Sequence, residues 1–280
     1  MALTVSPELI SNVWQYSMNP EISIIVPCLN EEQNIPILVQ SLTALIEEHR
    51  LAAEILIVDD CSDDYTFREA FVLANANPRV KALHKGLPRG IGNAIRYGID
   101  HALGKVGVVV MGDLVDPLSA IPDFRDCIQK DGYQLVLLSR YVDPEDHSNI
   151  PFLYRFYHFW YRLLCRMLVG VQLRDITYAF RGFDIAYVRG LYLESGGFEV
   201  SPEITLKTWL AGGSIYELKG SQGRRIQGES KFVFSRVGFG YARVLVKAGL
   251  ARLLGKWPQK TAPIRTTAHV GDGDGHIDGG

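Results

Sequence analysis

Runs rich in Val, Ile and Leu recur at residues 23–27, 54–60, 80–84, 106–113 and 134–139. Their apolar continuity, without strict alternation, predicts strands covered on both faces, as in a parallel sheet. Between these runs the apolar positions fall at helical spacing. Residues 31–50 place Ile35, Leu38, Val39, Leu42, Leu45 and Ile46 on one stripe. Helices are also predicted over 66–76, 92–103 and 118–130. Strand and helix taking turns in this order predict an open, mostly parallel α/β sheet flanked by helices. Such sheets bind ligands beyond the carboxyl ends of their strands.

The second half has a different texture. Residues 152–169 are dense in aromatics and arginine and contain no acid. Arg162 and Arg166 are one helical turn apart there, so they share a face. A short helix is predicted over 199–211 and a late strand over 214–219. Residues 231–257 mix bulky apolar side chains with Lys231, Arg236, Arg243, Lys247, Arg252 and Lys256, again without an acid. Both basic stretches suit amphipathic helices at a lipid headgroup boundary. Packing against the sheet or a protein partner is the alternative use of either. Residues 258–280 are polar and read as a disordered tail. The expected organisation is an N-terminal extension over 1–20, one α/β domain over 21–230, a basic amphipathic helical segment over 231–257 and the tail.

Composition narrows the field. The 280 residues suit one large domain, and 47% apolar with 21% charged residues fits an ordinary core. A net charge of −2 argues against a nucleic-acid binder, which needs a cationic excess. The four cysteines form no CxxC pair, so neither a disulfide scaffold nor a zinc knuckle is expected. The first ten residues lack the pattern of a secretory signal, and no stretch reads as a membrane span. The expected setting is therefore cytoplasmic.

Four polar clusters follow predicted strands. Pro27-Cys28-Leu29-Asn30-Glu31-Glu32 ends the first, with Asn30 suited to cap a helix and the glutamates suited to its positive end. Asp59, Asp60, Asp63 and Asp64 put four carboxylates into six positions after the second strand; a cation or donor hydroxyls would relieve their repulsion. The stretch from His84 to Gly92 supplies Lys85 and Arg89 to neutralise phosphate, and Gly86 and Gly90 to permit close backbone approach. It matches neither the P-loop nor the Rossmann spacing. Met111-Gly112-Asp113-Leu114-Val115-Asp116-Pro117 closes the fourth strand, where a carboxylate can hold a divalent cation bridging a diphosphate. Each cluster also has a plain reading as a cap, an acidic surface turn or a flexible loop.

Taken in order, SIIVPCLNEEQNI, ILIVDDCSDD, HKGLPRGIGNAI and VVVMGDLVDP resemble the family 2 glycosyltransferases of GT-A fold. Ser139-Arg140-Tyr141, Asp175-Ile176-Thr177 with Phe180-Arg181, Ser201-Pro202-Glu203-Ile204 and the stretch from Arg225 to Lys231 are similar to polyprenyl-phosphate sugar synthases, of which the dolichyl-phosphate mannose synthases are the best known. The resemblance implies a nucleotide-sugar donor of GDP-mannose or UDP-glucose type, held by Pro27, Asn30, Glu31, Asp60, Lys85, Gly86, Arg89 and Gly90. It implies Mg2+ or Mn2+ at Asp113, and an acceptor polyprenyl or dolichyl phosphate held by Arg140, Arg225, Ser230 and Lys231. Asp113, Arg140, Arg225 and Lys231 are the expected catalytic set, and inversion at the anomeric carbon is implied. The sequence departs from the family's Asp-x-Asp: Met111 and Val115 flank Asp113, leaving one carboxylate with Asp116 as a second candidate. Arg224 also stands where many relatives carry Asp.

A phosphate acceptor is already anionic near neutral pH (second pKa about 6), so it needs cations to position it rather than a general base. Glu203 is a candidate base for a hydroxyl acceptor or simply a helix-start carboxylate. The competing expectations are a soluble hydroxyl acceptor, or a nucleotide-binding partner protein without catalysis. The expected location is the cytoplasmic membrane face, by peripheral contact; an oligomer stays open.

Overall fold

The computed structural model describes residues 19–141, 152–220 and 234–255. A seven-stranded sheet forms the centre, in the order β3-β2-β1-β4-β6-β5-β7. The strands are β1 (Ile22–Cys28), β2 (Ala53–Asp59), β3 (Val80–His84), β4 (Val106–Val109), β5 (Leu135–Ser139), β6 (Arg181–Asp184) and β7 (Ile215–Lys219). β1, β2, β3 and β4 pair in parallel, as do β5 and β7. β6 runs against both β4 and β5, so all the other strands share one direction. The fold is the GT-A type.

The helices are α1 (Ile35–Glu48), α2 (Thr66–Ala76), α3 (Ile91–His101), α4 (Ile121–Gln129), α5 (Phe152–Val169), α6 (Ile185–Arg189), α7 (Val200–Leu210) and α8 (Phe234–Leu254). Alternation along β1 sends Ile24 and Val26 to one face with α1 and Phe124 of α4, and Ile25 to the other with α3. Both faces are therefore apolar, which is why the strands read as unbroken runs. α8 packs against α5 and α7 and buries Val244, Leu245, Ala248 and Ala251.

Most predicted elements stand, with shifted ends. α1 begins at Ile35 rather than at residue 31, because Pro36 fits the first helical turn. β4 stops at Val109, four residues before the predicted end, and the segment that follows turns through Leu114 at φ 62°. β6 and α6 have no counterpart in the predicted pattern. The four residues Arg-Gly-Phe-Asp are too short and too polar to announce a strand, yet β6 joins the two halves of the sheet.

Gly98 shows how closely α3 sits on the sheet. A methyl group there would collide with Ile25, which is fully buried, and come within 3.2 Å of Val58. Gly98→Ala is expected to lower stability in urea unfolding by about 1–3 kcal/mol through overpacking, outweighing the gain of about 1 kcal/mol in helix propensity. An unchanged or raised midpoint would contradict this packing.

Candidate active site

The strand directions bring the ends of β1, β2, β3, β4 and β5 to one edge, and the predicted polar clusters follow those ends. Pro27 is buried within β1, paired with Val58 of β2. Asn30 does not cap a helix. It adopts a left-handed conformation, φ 54°, which its short amide tolerates by bonding locally. Its side-chain oxygen accepts from the Asp63 N–H at 2.8 Å, and its own N–H donates to Ser62 Oγ at 2.9 Å. The Glu31 N–H donates to Thr66 Oγ1, and the Glu31 carboxylate accepts from Asn34 Nδ2, both at 2.7 Å. The loops after β1 and β2 are thereby laced together.

The four-aspartate run is relieved from within. Asp59 accepts from the Ser62 N–H at 3.2 Å and lies 2.8 Å from His84 Nδ1. Buried Asp60 pairs with buried Lys85 at 2.8 Å and accepts from the Gly90 N–H at 2.6 Å. One carboxylate therefore holds both ends of the 85–90 loop. Arg89 ion-pairs with Asp63 and holds that carboxyl below its usual range. Gly86, at φ 75°, has open space where a Cβ would stand. Gly90 and Gly92 are different: a Cβ at either would collide with the Ser195–Gly196 backbone. The close approach they permit is to the protein's own chain. The Gly92 N–H donates to the Gly196 carbonyl at 2.9 Å, and the Asn93 N–H does so at 3.3 Å. These bonds close the amino end of α3 against another loop.

The other half of the edge is organised by a buried ion pair. Arg140, directly after β5, meets Asp175 through Nε at 2.7 Å and through a second guanidinium nitrogen at 3.3 Å. Asp175 is fully buried, and Arg140 beside it holds its carboxyl well below the usual range despite that burial. His158 of α5 approaches Asp175 at 3.5 Å and stacks on Tyr141 with centroids 4.1 Å apart. The Arg140 guanidinium also lies 4.3 Å from the Tyr178 ring centroid. The Tyr178 hydroxyl donates to Asp116 at 2.7 Å, and the Met111 N–H donates to the other Asp116 oxygen at 2.7 Å.

Asp116 is therefore a loop-holding residue in this structure, and burial pushes its pKa up to about 7. Asp113 is half-buried in the loop that Asp116 braces. The described residues contain no group of three or more His, Cys, Asp or Glu side chains able to hold a metal. Met111 and Val115 supply no oxygen. The residues fit a cation held by a single protein carboxylate, Asp113, with donor phosphates and water completing the shell, an arrangement that Mg2+ accepts and that Mn2+ shares in its oxygen ligands.

Glu203 is buried at the start of α7. It accepts from the N–H groups of Glu194 and Ser195 at 2.9 and 2.8 Å and pairs with buried Lys207 at 2.7 Å. This favours its reading as a structural carboxylate. Arg225, Ser230 and Lys231 lie outside the described residues.

The glycosyl transferase family 2 model matches residues 23–191, more than half of the chain. The chain belongs to glycosyl transferase family 2. This family 2 glycosyltransferase is 27% identical over 244 residues to a dolichol-phosphate mannosyltransferase of Mycosarcoma maydis, covering 85% of the chain and 82% of the relative. It is 28% identical to an undecaprenyl-phosphate mannosyltransferase of Micrococcus luteus, covering 76% and 88%. In fold it is similar to glucosyl-3-phosphoglycerate synthase of Mycobacterium tuberculosis, solved with Mn2+, UDP-glucose and phosphoglyceric acid. That match has a TM-score of 0.60 and 17% identity, covering 92% of this chain and 88% of that one.

Two residues of the glycosyltransferase carry more of this edge than the sequence indicated. Tyr178 links Arg140 to the Asp113 loop, but nothing in its spacing marks it out. Arg181 opens β6, opposite Val109 of β4 and Leu137 of β5. It is buried, and among the described residues its hydrogen bonds go to neutral oxygens, including the Ser201 carbonyl at 2.7 Å and Thr205 Oγ1 at 2.9 Å. Burial lowers its pKa to about 10.

The Asp116 shift has a measurable sign. Its folded pKa is raised above the unfolded value of 3.8, so the native form holds a proton that the unfolded chain releases. Its contribution is retained below that unfolded pKa and lost as pH rises to about 7. Asp116→Asn keeps an acceptor for Met111 and a polar partner for Tyr178 without the titration. Urea unfolding across this range should show the variant gaining stability relative to the parent as pH rises. A difference independent of pH would contradict the assignment.

Proposed function

We propose that this enzyme transfers a hexose, with inversion, from a nucleotide-sugar donor of GDP-mannose or UDP-glucose type to a polyprenyl or dolichyl phosphate at the cytoplasmic face of a membrane. The supporting observation is how the edge uses its charges. Glu203, the carboxylate offered as base for a hydroxyl acceptor, is buried and occupied by two backbone donors and Lys207. An acceptor that is already anionic needs no such base. The similarity to a dolichol-phosphate mannosyltransferase of Mycosarcoma and an undecaprenyl-phosphate mannosyltransferase of Micrococcus supports a polyprenyl-phosphate acceptor.

Asn30, Glu31, Asp60, Lys85 and the 85–90 loop form the donor side, with Pro27 fixing the end of β1. The lacing of these loops presents a preset surface to the nucleotide. Arg140 stands on the acceptor side, held by Asp175 in one orientation; binding of the acceptor phosphate is also assigned to Arg225, Ser230 and Lys231, which lie outside the described residues. A divalent cation at Asp113 would neutralise charge on the leaving diphosphate. The brace from Tyr178 through Asp116 to Met111 fixes the loop that carries Asp113.

Approach to a lipid acceptor uses α5. Among the described residues, no helix is long and apolar enough to cross a membrane. Phe152, Phe156, Phe159, Trp160 and Met167 are nevertheless exposed on α5, beside arginines. Aromatic rings and arginine side chains suit the headgroup boundary.

Incubation with labelled nucleotide sugar and polyprenyl phosphate should move label into the organic phase; label that stays aqueous while a soluble alcohol is glycosylated would overturn the acceptor. Asp113→Asn should lower turnover about 10²-fold or more with the unfolding midpoint retained. Near-normal turnover would mean that the leaving diphosphate is stabilised elsewhere.

A further inference from the structure

A groove of about 350 Å3 runs between α5 and the chain that leaves it. Arg162 and Arg166 of α5 and Arg174 line it, with Leu163, Val171 and Leu173 between them. Arg166 and Arg174 are exposed, and Arg162 is half-buried. No acid lines the groove. Of the nearby carboxylates among the described residues, Asp175 pairs with Arg140, and Glu217 accepts from the backbone N–H groups of Arg174 and Asp175 at 2.7 and 2.9 Å and attracts the Arg174 guanidinium without forming an ion pair with it. Among the described residues, none of the three guanidinium groups has a carboxylate within ion-pair distance.

Three cations lining one groove, with no ion-paired carboxylate among the described residues, repel one another, and an anion placed among them relieves that repulsion. Guanidinium groups match phosphate oxygens in a planar, forked geometry. The apolar side chains between them favour a ligand that brings hydrocarbon as well as charge. The groove also continues into the exposed aromatic surface of α5, through Phe159, which lines it and is itself exposed, and its neighbour Trp160. A free anion would make no use of that surface.

We propose that this groove is a headgroup site for an anionic phospholipid, separate from the transfer centre, where Arg140 is turned inward onto Asp175. The proposal deepens the membrane approach given above and rests on it. It does not depend on which sugar or acceptor the enzyme uses. Its consequence is that an anionic bilayer surface holds α5 in one rotation, with the groove at phosphate depth.

The test is co-sedimentation of the full chain with vesicles of phosphatidylcholine, alone or mixed with phosphatidylglycerol, without any polyprenyl phosphate. The parent protein should prefer the mixed vesicles. Arg166→Gln/Arg174→Gln keeps most of each stem and should weaken binding to mixed vesicles about thirtyfold, the surface attraction of two cations. Arg68→Gln/Lys105→Gln removes the same charge from exposed positions outside the groove and should leave the binding nearly as it was. Equal losses in both variants would reduce the effect to net charge and overturn the site. So would an unchanged groove variant. Release from vesicles by inorganic phosphate at matched ionic strength would also overturn it, by showing a free-phosphate site. Sugar transfer in detergent, measured in parallel, separates a failure of the acceptor assignment from a failure of the groove.

Discussion

Arg140 and Asp175 meet at the end of β5, the carboxylate fully buried and the guanidinium largely so, and this edge of the sheet is arranged around that pair. Burying two charges is costly, and their attraction offsets the cost only when the geometry is good and the remaining lone pairs are filled. Here the guanidinium meets the carboxylate through two nitrogens, and the N–H groups of Thr177 and Tyr178 also approach an Asp175 oxygen, both at 3.3 Å. Removing one member of such a pair typically costs about 3–5 kcal/mol, because the other is left buried and uncompensated. The pair thus fixes where a positive charge stands at this edge and which way it faces.

From that pair a continuous set of contacts reaches the loop after β4: Arg140 to the Tyr178 ring, the Tyr178 hydroxyl to Asp116, and Asp116 to the Met111 N–H. The loops after β1, β2 and β3 are held in the same manner. Asp60 ties Lys85 and Gly90, and the Gly196 carbonyl closes the amino end of α3. Both halves satisfy their charges largely within the protein. A site built this way presents fixed dipoles and charges to its reactants, so little reorganisation remains for the reaction itself.

The sequence was legible wherever one physical signal dominated. The unbroken apolar strands, the stripe of α1 and the aromatic helix α5 follow from burial alone, and α5 occupies the predicted residues. Legibility failed where tertiary contacts decide. Asn30 has the chemistry of a cap, but bonds across two loops hold it in a left-handed turn instead. Gly90 and Gly92 signal close approach without saying to what, and the answer is the Ser195–Gly196 backbone. For Asp116, a second candidate metal ligand by spacing, the sequence cannot show the Tyr178 hydroxyl that reaches it from 62 residues away. β6 carries too few residues for any periodicity.

The proposed role of Asp113, on the loop that Asp116 braces, is that of the protein's oxygen ligand for a cation that meets the donor diphosphate. The most direct measurement is anomalous diffraction from crystals soaked with Mn2+ and GDP or UDP. One manganese peak beside the Asp113 carboxylate and the nucleotide's diphosphate is expected, with Asp116 still bonded to Tyr178. Nucleotide bound with manganese elsewhere, or with Asp116 swung out to ligate it, would rule out that role for Asp113.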